Sequence, residues 1–227
     1  MKFIEKNWFL IFIIIFGIYS NLPFLAPVFM QIGWKGAGSA IYFIYSFLCH
    51  QLPERSFFMF GPKISYSLVE IRATGQDTRN LFALRQFIGN GAMGWKVAWS
   101  DRMVAMFSSL WVLSLLWWPF RKRLRGLPFW GLILSLIPLA VDGGTHLISD
   151  LAGIGQGFRD TNLWLVSLTQ NIFRPEFYSG DALGSFNSLM RITTGIIFGL
   201  GFVWFAMPYL YSTFSKPDRT DNPNLLA

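Results

Sequence analysis

Residues 127–147 read LPFWGLILSLIPLAVDGGTHL. An apolar run from Leu127 to Val141 ends on Asp142, the pair Gly143 and Gly144, and His146. Such a run has the character of a membrane helix, and it delivers a carboxylate and an imidazole to one rim of the bilayer. Ionisable groups at that depth are costly to keep, so they are read first as functional. The stretch predicts an integral membrane protein with polar groups gathered at one membrane face.

Composition agrees. Of 227 residues, 53% are hydrophobic and 14% charged, against roughly 25% charged in ordinary soluble domains. Ten Trp and 24 Phe suit a membrane protein, with the Trp at the interfaces. The net charge of +7 is assigned to basic loops that meet anionic lipid. No nucleic-acid motif accompanies it, so nucleic acid is not expected as a partner. The single cysteine, Cys49, permits no intrachain disulfide. The opening MKFIEKNWFLIFIIIFGIYS resembles a signal peptide, but the SNLPFLAPVF region that follows stays apolar and lacks a small-residue cleavage site. A retained anchor is expected there.

Outward from 127–141, four more apolar segments stand out, at 8–29, 37–49, 103–120 and 192–211. The segment 37–49 is short for a span of about 20 residues; it reads as a tilted span, a re-entrant helix or an interfacial one. Two polar stretches lie between the segments. In 51–102, Leu68, Ile71, Leu81, Leu84 and Ile88 recur near helical spacing among arginines, which predicts amphipathic helices on the membrane surface. In 143–190, NLWLVSLTQNIF reads the same way. Gly89, Gly91 and Gly94 match GxGxxG without a surrounding βαβ pattern and are read as a turn. Gly195 and Gly199 allow another helix to approach closely, from this chain or from a second copy.

The expected fold is thus an all-α integral membrane protein. It has about five transmembrane helices, with amphipathic interfacial helices on one face. A single membrane domain covers 1–212, and a polar, disordered tail covers 213–227. The expected location is the cell membrane, multi-pass. The densest basic cluster, Arg121, Lys122, Arg123 and Arg125, is placed in the cytoplasm. Five spans then put the N-terminus outside, against the preference of Lys2 and Lys6.

With that order of segments, the polar residues meet at one face. Cys49, His50 and Arg55 follow the second segment, Asp101 and Arg102 precede the third, Asp142 and His146 follow the fourth, and Asn187 and Arg191 precede the fifth. Asp142 and His146, four residues apart, are neighbours if their helix continues through the glycine pair; paired glycines more often end a helix. His50, Asp142 and His146 are candidate ligands for a divalent metal. Arg55, Arg102 and Arg191 either snorkel to headgroups, pair with Asp101 and Asp142, or clamp a phosphate such as that of a lipid.

The strings CHQLPERSFFMFG (49–61), PLAVDGGTH (138–146) and NSLMRITTG (187–195) together resemble the integral membrane proteins catalogued as domain of unknown function 2085. The resemblance covers roughly residues 37–210. It implies a membrane fold and this choice of residues, and it carries no established activity. Many members of that family have further cysteine at the start of the next helix; here VAWSDRMVAMF has Asp101 and no cysteine, which speaks against a multi-thiolate site.

Three functions are expected in turn. The first is an accessory or structural subunit packed against other membrane subunits and the lipid bilayer. The second is a small metal-dependent or redox enzyme using the polar cluster. The third is a lipid- or ion-handling protein. No Walker loop, GxSxG, HExxH or CxxC motif is present to name a reaction.

Overall fold

The computed structural model describes residues 2–214. In chain order it has α1 (Lys2–Gln31), α2 (Lys35–Ser46), a 3-10 turn (Pro53–Arg55), β1 (Ser56–Met59), α3 (Leu68–Ala73), α4 (Leu81–Gln86), β2 (Gly89–Asn90) and β3 (Gly94–Ser100). There follow α5 (Asp101–Trp117), α6 (Phe129–Asp150), α7 (Phe158–Thr161), α8 (Leu163–Leu168), α9 (Pro175–Tyr178) and α10 (Phe186–Phe214). Four stretches are long and apolar enough to cross a membrane: Phe3–Gln31, Asp101–Phe120, Phe129–Asp150 and Phe186–Phe214. The protein is a helical membrane protein.

The 37–49 segment is where the expected span count departs from the structure. Its helix, α2, has 12 residues and rises about 18 Å, against the ~30 Å of a hydrocarbon core. The break that makes it short is local. Gly33 takes φ +84°, and the N–H groups of Gly33 and Trp34 donate to the carbonyls of Met30 and Phe29. That closes α1 with a left-handed cap, and α2 folds back against it, with Gly38 seated on Met30 and Ala26.

The second correction is a sheet. Residues 51–102 form only two six-residue helices, α3 and α4; the rest builds an antiparallel sheet in the order β1-β3-β2. Ser56 pairs with Ser100 and Gly89 with Trp95. The glycines of the GxGxxG match form the β2–β3 hairpin, with Gly89 at φ +107° and Gly94 at φ +78°. A Cβ on Gly94 would lie 2.2 Å from the Met59 carbonyl oxygen, so no other residue fits that approach. β3 is buried along most of its length, and Trp99 packs edge-on against Tyr45 and Tyr19. Leu68, Ile71, Leu81 and Leu84 do lie in helices, α3 and α4; β3 escapes notice because it is covered on both faces and has no polar side to alternate.

The third correction concerns the ends. Trp8 and Phe9 at the start of α1 pack on Trp118, and Trp8 also stacks on Phe214. The start of α1, the 121–125 loop and the end of α10 share one end of the bundle. The five-span arrangement had put the N-terminus at the opposite end from the 121–125 loop; Trp8 and Phe9 packing on Trp118 brings the two together. The tail expected to be disordered begins inside α10, which runs to Phe214; residues 215–227 lie outside the described residues.

α5 and α10 are the closest pair. A Cβ on Gly195 would meet the Arg102 carbonyl oxygen at 3.0 Å, and one on Gly199 would meet Ser109 Oγ at 2.1 Å. The helix accommodated by this GxxxG spacing is α5 of the same chain.

Candidate functional site: an arginine-lined cavity over a buried ion-pair network

α6 runs without a break through Gly143 and Gly144 to Asp150. This places Asp142, His146 and Asp150 on one helical face, four residues apart. The reason for glycine at 143 lies across the interface: a Cβ there would come within 3.0 Å of Arg102 Nη1. The bare backbone admits the guanidinium.

Around that face, four arginines and four aspartates interlock. Arg55 holds Asp150 with both terminal nitrogens, each at 2.7 Å, and Asp181 with Nε at 2.8 Å. Arg191 holds Asp101 through Nε and Nη2, and Asp181 through Nη1 at 2.6 Å. Arg102 and Arg159 share Asp142, at 2.7 and 2.6 Å. Arg55, Asp101, Asp142, Asp181 and Arg191 are all buried. Forked guanidinium–carboxylate pairs of this kind combine charge with fixed geometry. Burial alone would raise the Asp181 pKa; Arg55 and Arg191 on either side outweigh it and hold the carboxyl well below its usual range.

His146 sits at the centre. Its Nδ1 lies 2.9 Å from the Asp142 carbonyl oxygen. A carbonyl only accepts, so Nδ1 carries the proton. In the neutral ring, Nε2 then accepts from Arg191 Nη1 at 3.4 Å.

Above the network opens a cavity of about 490 Å³. Its polar wall comes from Arg55, Arg85, Arg102, His146 and Arg191 and from the carboxylate Asp150 that Arg55 holds, with Cys49 and His50 beside them. Arg55 and Arg191 are fully engaged with carboxylates. Arg102 gives Nη2 to Asp142, and among the described residues its Nη1 and buried Nε have no protein acceptor. Arg85 donates from Nε to the His50 carbonyl and from Nη2 to the Ser46 carbonyl, capping the end of α2, and it has no carboxylate partner among the described residues. Arg85 thus adds a guanidinium held by carbonyls alone beside those that the aspartates hold, and it lines the cavity together with Arg102.

Neither a protein-family model nor a solved structure matches the chain. It is similar to an uncharacterised protein of Methanocaldococcus jannaschii, at 29% identity over 219 residues, which are 93% of this chain and 97% of that protein. The likeness runs nearly end to end, so the elements that build the cavity lie within it.

Of the residues singled out by sequence, Arg55, Asp101, Arg102, Asp142, His146 and Arg191 meet in the network. Cys49 and His50 lie on the cavity wall in non-helical backbone after α2. Cys49 Sγ accepts the Gln51 N–H at 3.4 Å, and neither side chain bonds to the network. Asn187 stands aside: its amide donates to the carbonyls of Arg159 at 2.7 Å and Gly180 at 3.0 Å, tying two loops together. The metal set His50, Asp142 and His146 is not assembled. Among the described residues no three His, Cys, Asp or Glu side chains are grouped to hold an ion, and both Asp142 oxygens are taken by arginines.

Sequence reading missed Asp150, Arg159, Asp181 and Arg85. Asp150 carried a signal, the spacing of four from His146. Arg159 comes from the four-residue helix α7 and Asp181 from an irregular stretch, both too short for spacing to mark them. A further buried pair lies behind the wall. Glu54 is 3% exposed, with both carboxyl oxygens unbonded. Lys96 is fully buried and donates to the carbonyls of Gln51 at 2.6 Å and Arg85 at 2.8 Å. Burial pushes Glu54 up to about 7 and Lys96 down to about 7.

Proposed function

We propose that this protein is a multi-pass cell-membrane protein that binds a phosphate-bearing ligand in the arginine-lined cavity, the lipid- or ion-handling class. The observation that carries this reading is the guanidinium at the wall: Arg102 and Arg85 keep N–H groups that have no acceptor among the described residues beside a cavity of about 490 Å³. Guanidinium forks suit phosphate better than a spherical halide.

Four spans with both ends in the cytoplasm fit the basic residues. Lys6 and the 121–125 cluster share one end, and short basic loops stay inside. The cavity then opens at the outer face.

The test is binding in mild detergent or nanodiscs, wild type beside Arg102→Ala. Phosphatidylglycerol and glycerol 3-phosphate are compared with phosphatidylcholine and glycerol. Preferential retention of at least one phosphate-bearing anion, weakened tenfold or more in the variant, supports the reading. No preference for either anion overturns it.

A second reading, an accessory subunit of a membrane complex, is favoured by apolar side chains exposed outside the four long helices, among them Val69, Phe82, Leu168 and Ile172. Stoichiometric co-purification of a partner that covers these residues tests it.

A further inference from the structure

The cavity lining is of two kinds. Beside the arginines, Phe47, Leu48, Met103 and Leu147 line it as well. Phe47 is 75% exposed and Leu147 66%. Leu147 belongs to α6, one of the helices long enough to cross the membrane, and its neighbours Val141 and Ile148 are exposed as well. On α2 and the turn after it, Phe43, Ile44, Phe47 and Leu48 form an exposed apolar stripe, with Phe43 and Phe47 in edge contact at 5.1 Å. On a membrane protein such surfaces meet acyl chains. The mouth of the cavity is therefore bordered by lipid-facing side chains, and its floor by the N–H groups of Arg102 and Arg85 that have no acceptor among the described residues.

A small hydrophilic anion gains nothing from such a mouth. Its approach would cross an apolar rim, and leaving water costs it hydration that the rim does not return. An amphiphile matches both kinds of lining at once. Its phosphate reaches Arg102 and Arg85, and its chains lie along Phe47 and Leu147 without leaving the hydrocarbon.

We infer that the ligand is an anionic membrane amphiphile with a phosphate headgroup, which enters sideways from the bilayer between the end of α2 and α6. This rests on the reading of the cavity as a phosphate site.

The experiment compares full-length protein in nanodiscs with three probes: long-chain phosphatidylglycerol, its dihexanoyl form, and glycerol 3-phosphate. Native mass spectrometry counts bound lipid, and competition gives relative affinity. The expected order is long-chain above short-chain above the free phosphate, with at least tenfold between first and last. The double variant Phe47→Gln/Leu147→Gln should narrow that gap by weakening the long-chain lipid most; Arg102→Ala should weaken all three. If glycerol 3-phosphate binds as tightly as the long-chain lipid, the amphiphile inference is overturned and the phosphate site stands. If none of the three binds in an Arg102-dependent way, the phosphate site itself falls. Both gap-narrowing substitutions are at exposed positions, so the variants are expected to fold; circular dichroism and gel filtration check it.

Discussion

Arg191 holds Asp101 edge-on, Nε to Oδ1 at 2.8 Å and Nη2 to Oδ2 at 2.7 Å, and so clamps the first turn of α5 to the first turns of α10. Both groups are out of water, at 2% and 3% exposure. A buried charge left without its partner is far more costly than the pair is favourable. Asp101→Asn is therefore expected to destabilise the protein by about 3–5 kcal/mol. The double variant Asp101→Leu/Arg191→Met should recover part of the loss, because no isolated charge remains. Unfolding in detergent measures both, and a double variant as unstable as the two single losses added together would contradict the coupling.

The α5–α10 contact makes a second prediction. Gly199→Ala puts a methyl group against Ser109 Oγ, and overpacking of this kind costs typically 1–3 kcal/mol. Ser109→Ala in the same chain removes the atom in the way, so the pair should be more stable than Gly199→Ala alone. Melting temperatures of the three variants decide it. Gly195→Ala should not be relieved by Ser109→Ala, because the nearest atom there belongs to the backbone of Arg102.

Gly143 gives a third. Its added Cβ would press on Arg102 Nη1 at 3.0 Å, the mobile end of a long side chain. Gly143→Ala should leave the melting temperature within a few degrees of wild type and weaken binding of phosphate-bearing ligands several-fold. An unchanged affinity in the same titration would mean that Arg102 does not face the ligand.

The buried pair Glu54 and Lys96 sets a pH dependence. With Glu54 raised to about 7, the folded state holds a proton that the unfolded chain has lost above its ordinary carboxyl range. This contribution is full at low pH and falls away as pH rises toward 7. With Lys96 lowered to about 7, the unfolded chain holds the extra proton above 7, and stability rises from there toward the ordinary lysine range. Together they predict a dip in stability near pH 7. Glu54→Met should flatten the acid side of the dip and Lys96→Met the alkaline side, in thermal melts from pH 5 to 10.

Much of this was legible in the chain. Long apolar runs announce membrane helices because hydrocarbon tolerates little else, and the ends of those runs locate Asp101, Asp142 and Arg191. Legibility failed where the determinant was not local. Lys96 sits in a strand covered on both faces, so neither a period of two nor one of 3.6 marks it. Asp181 lies in a loop and Arg159 in the single-turn helix α7, and nothing in their neighbours says they turn inward. The glycine pair at 143–144 suggested a helix end, yet its purpose is visible only once Arg102 is seen against it.

The ion network also has an order in time. Asp101 and Asp142 are synthesised before Arg159 and Asp181, and Arg191 comes from the last long helix. Until α10 is inserted, Asp101 has no guanidinium of its own to meet. A chain that stops short of Arg191 would present an uncompensated carboxylate at the membrane surface. The last long helix among the described residues thus closes the ion network, and it does so only after every other member has been made.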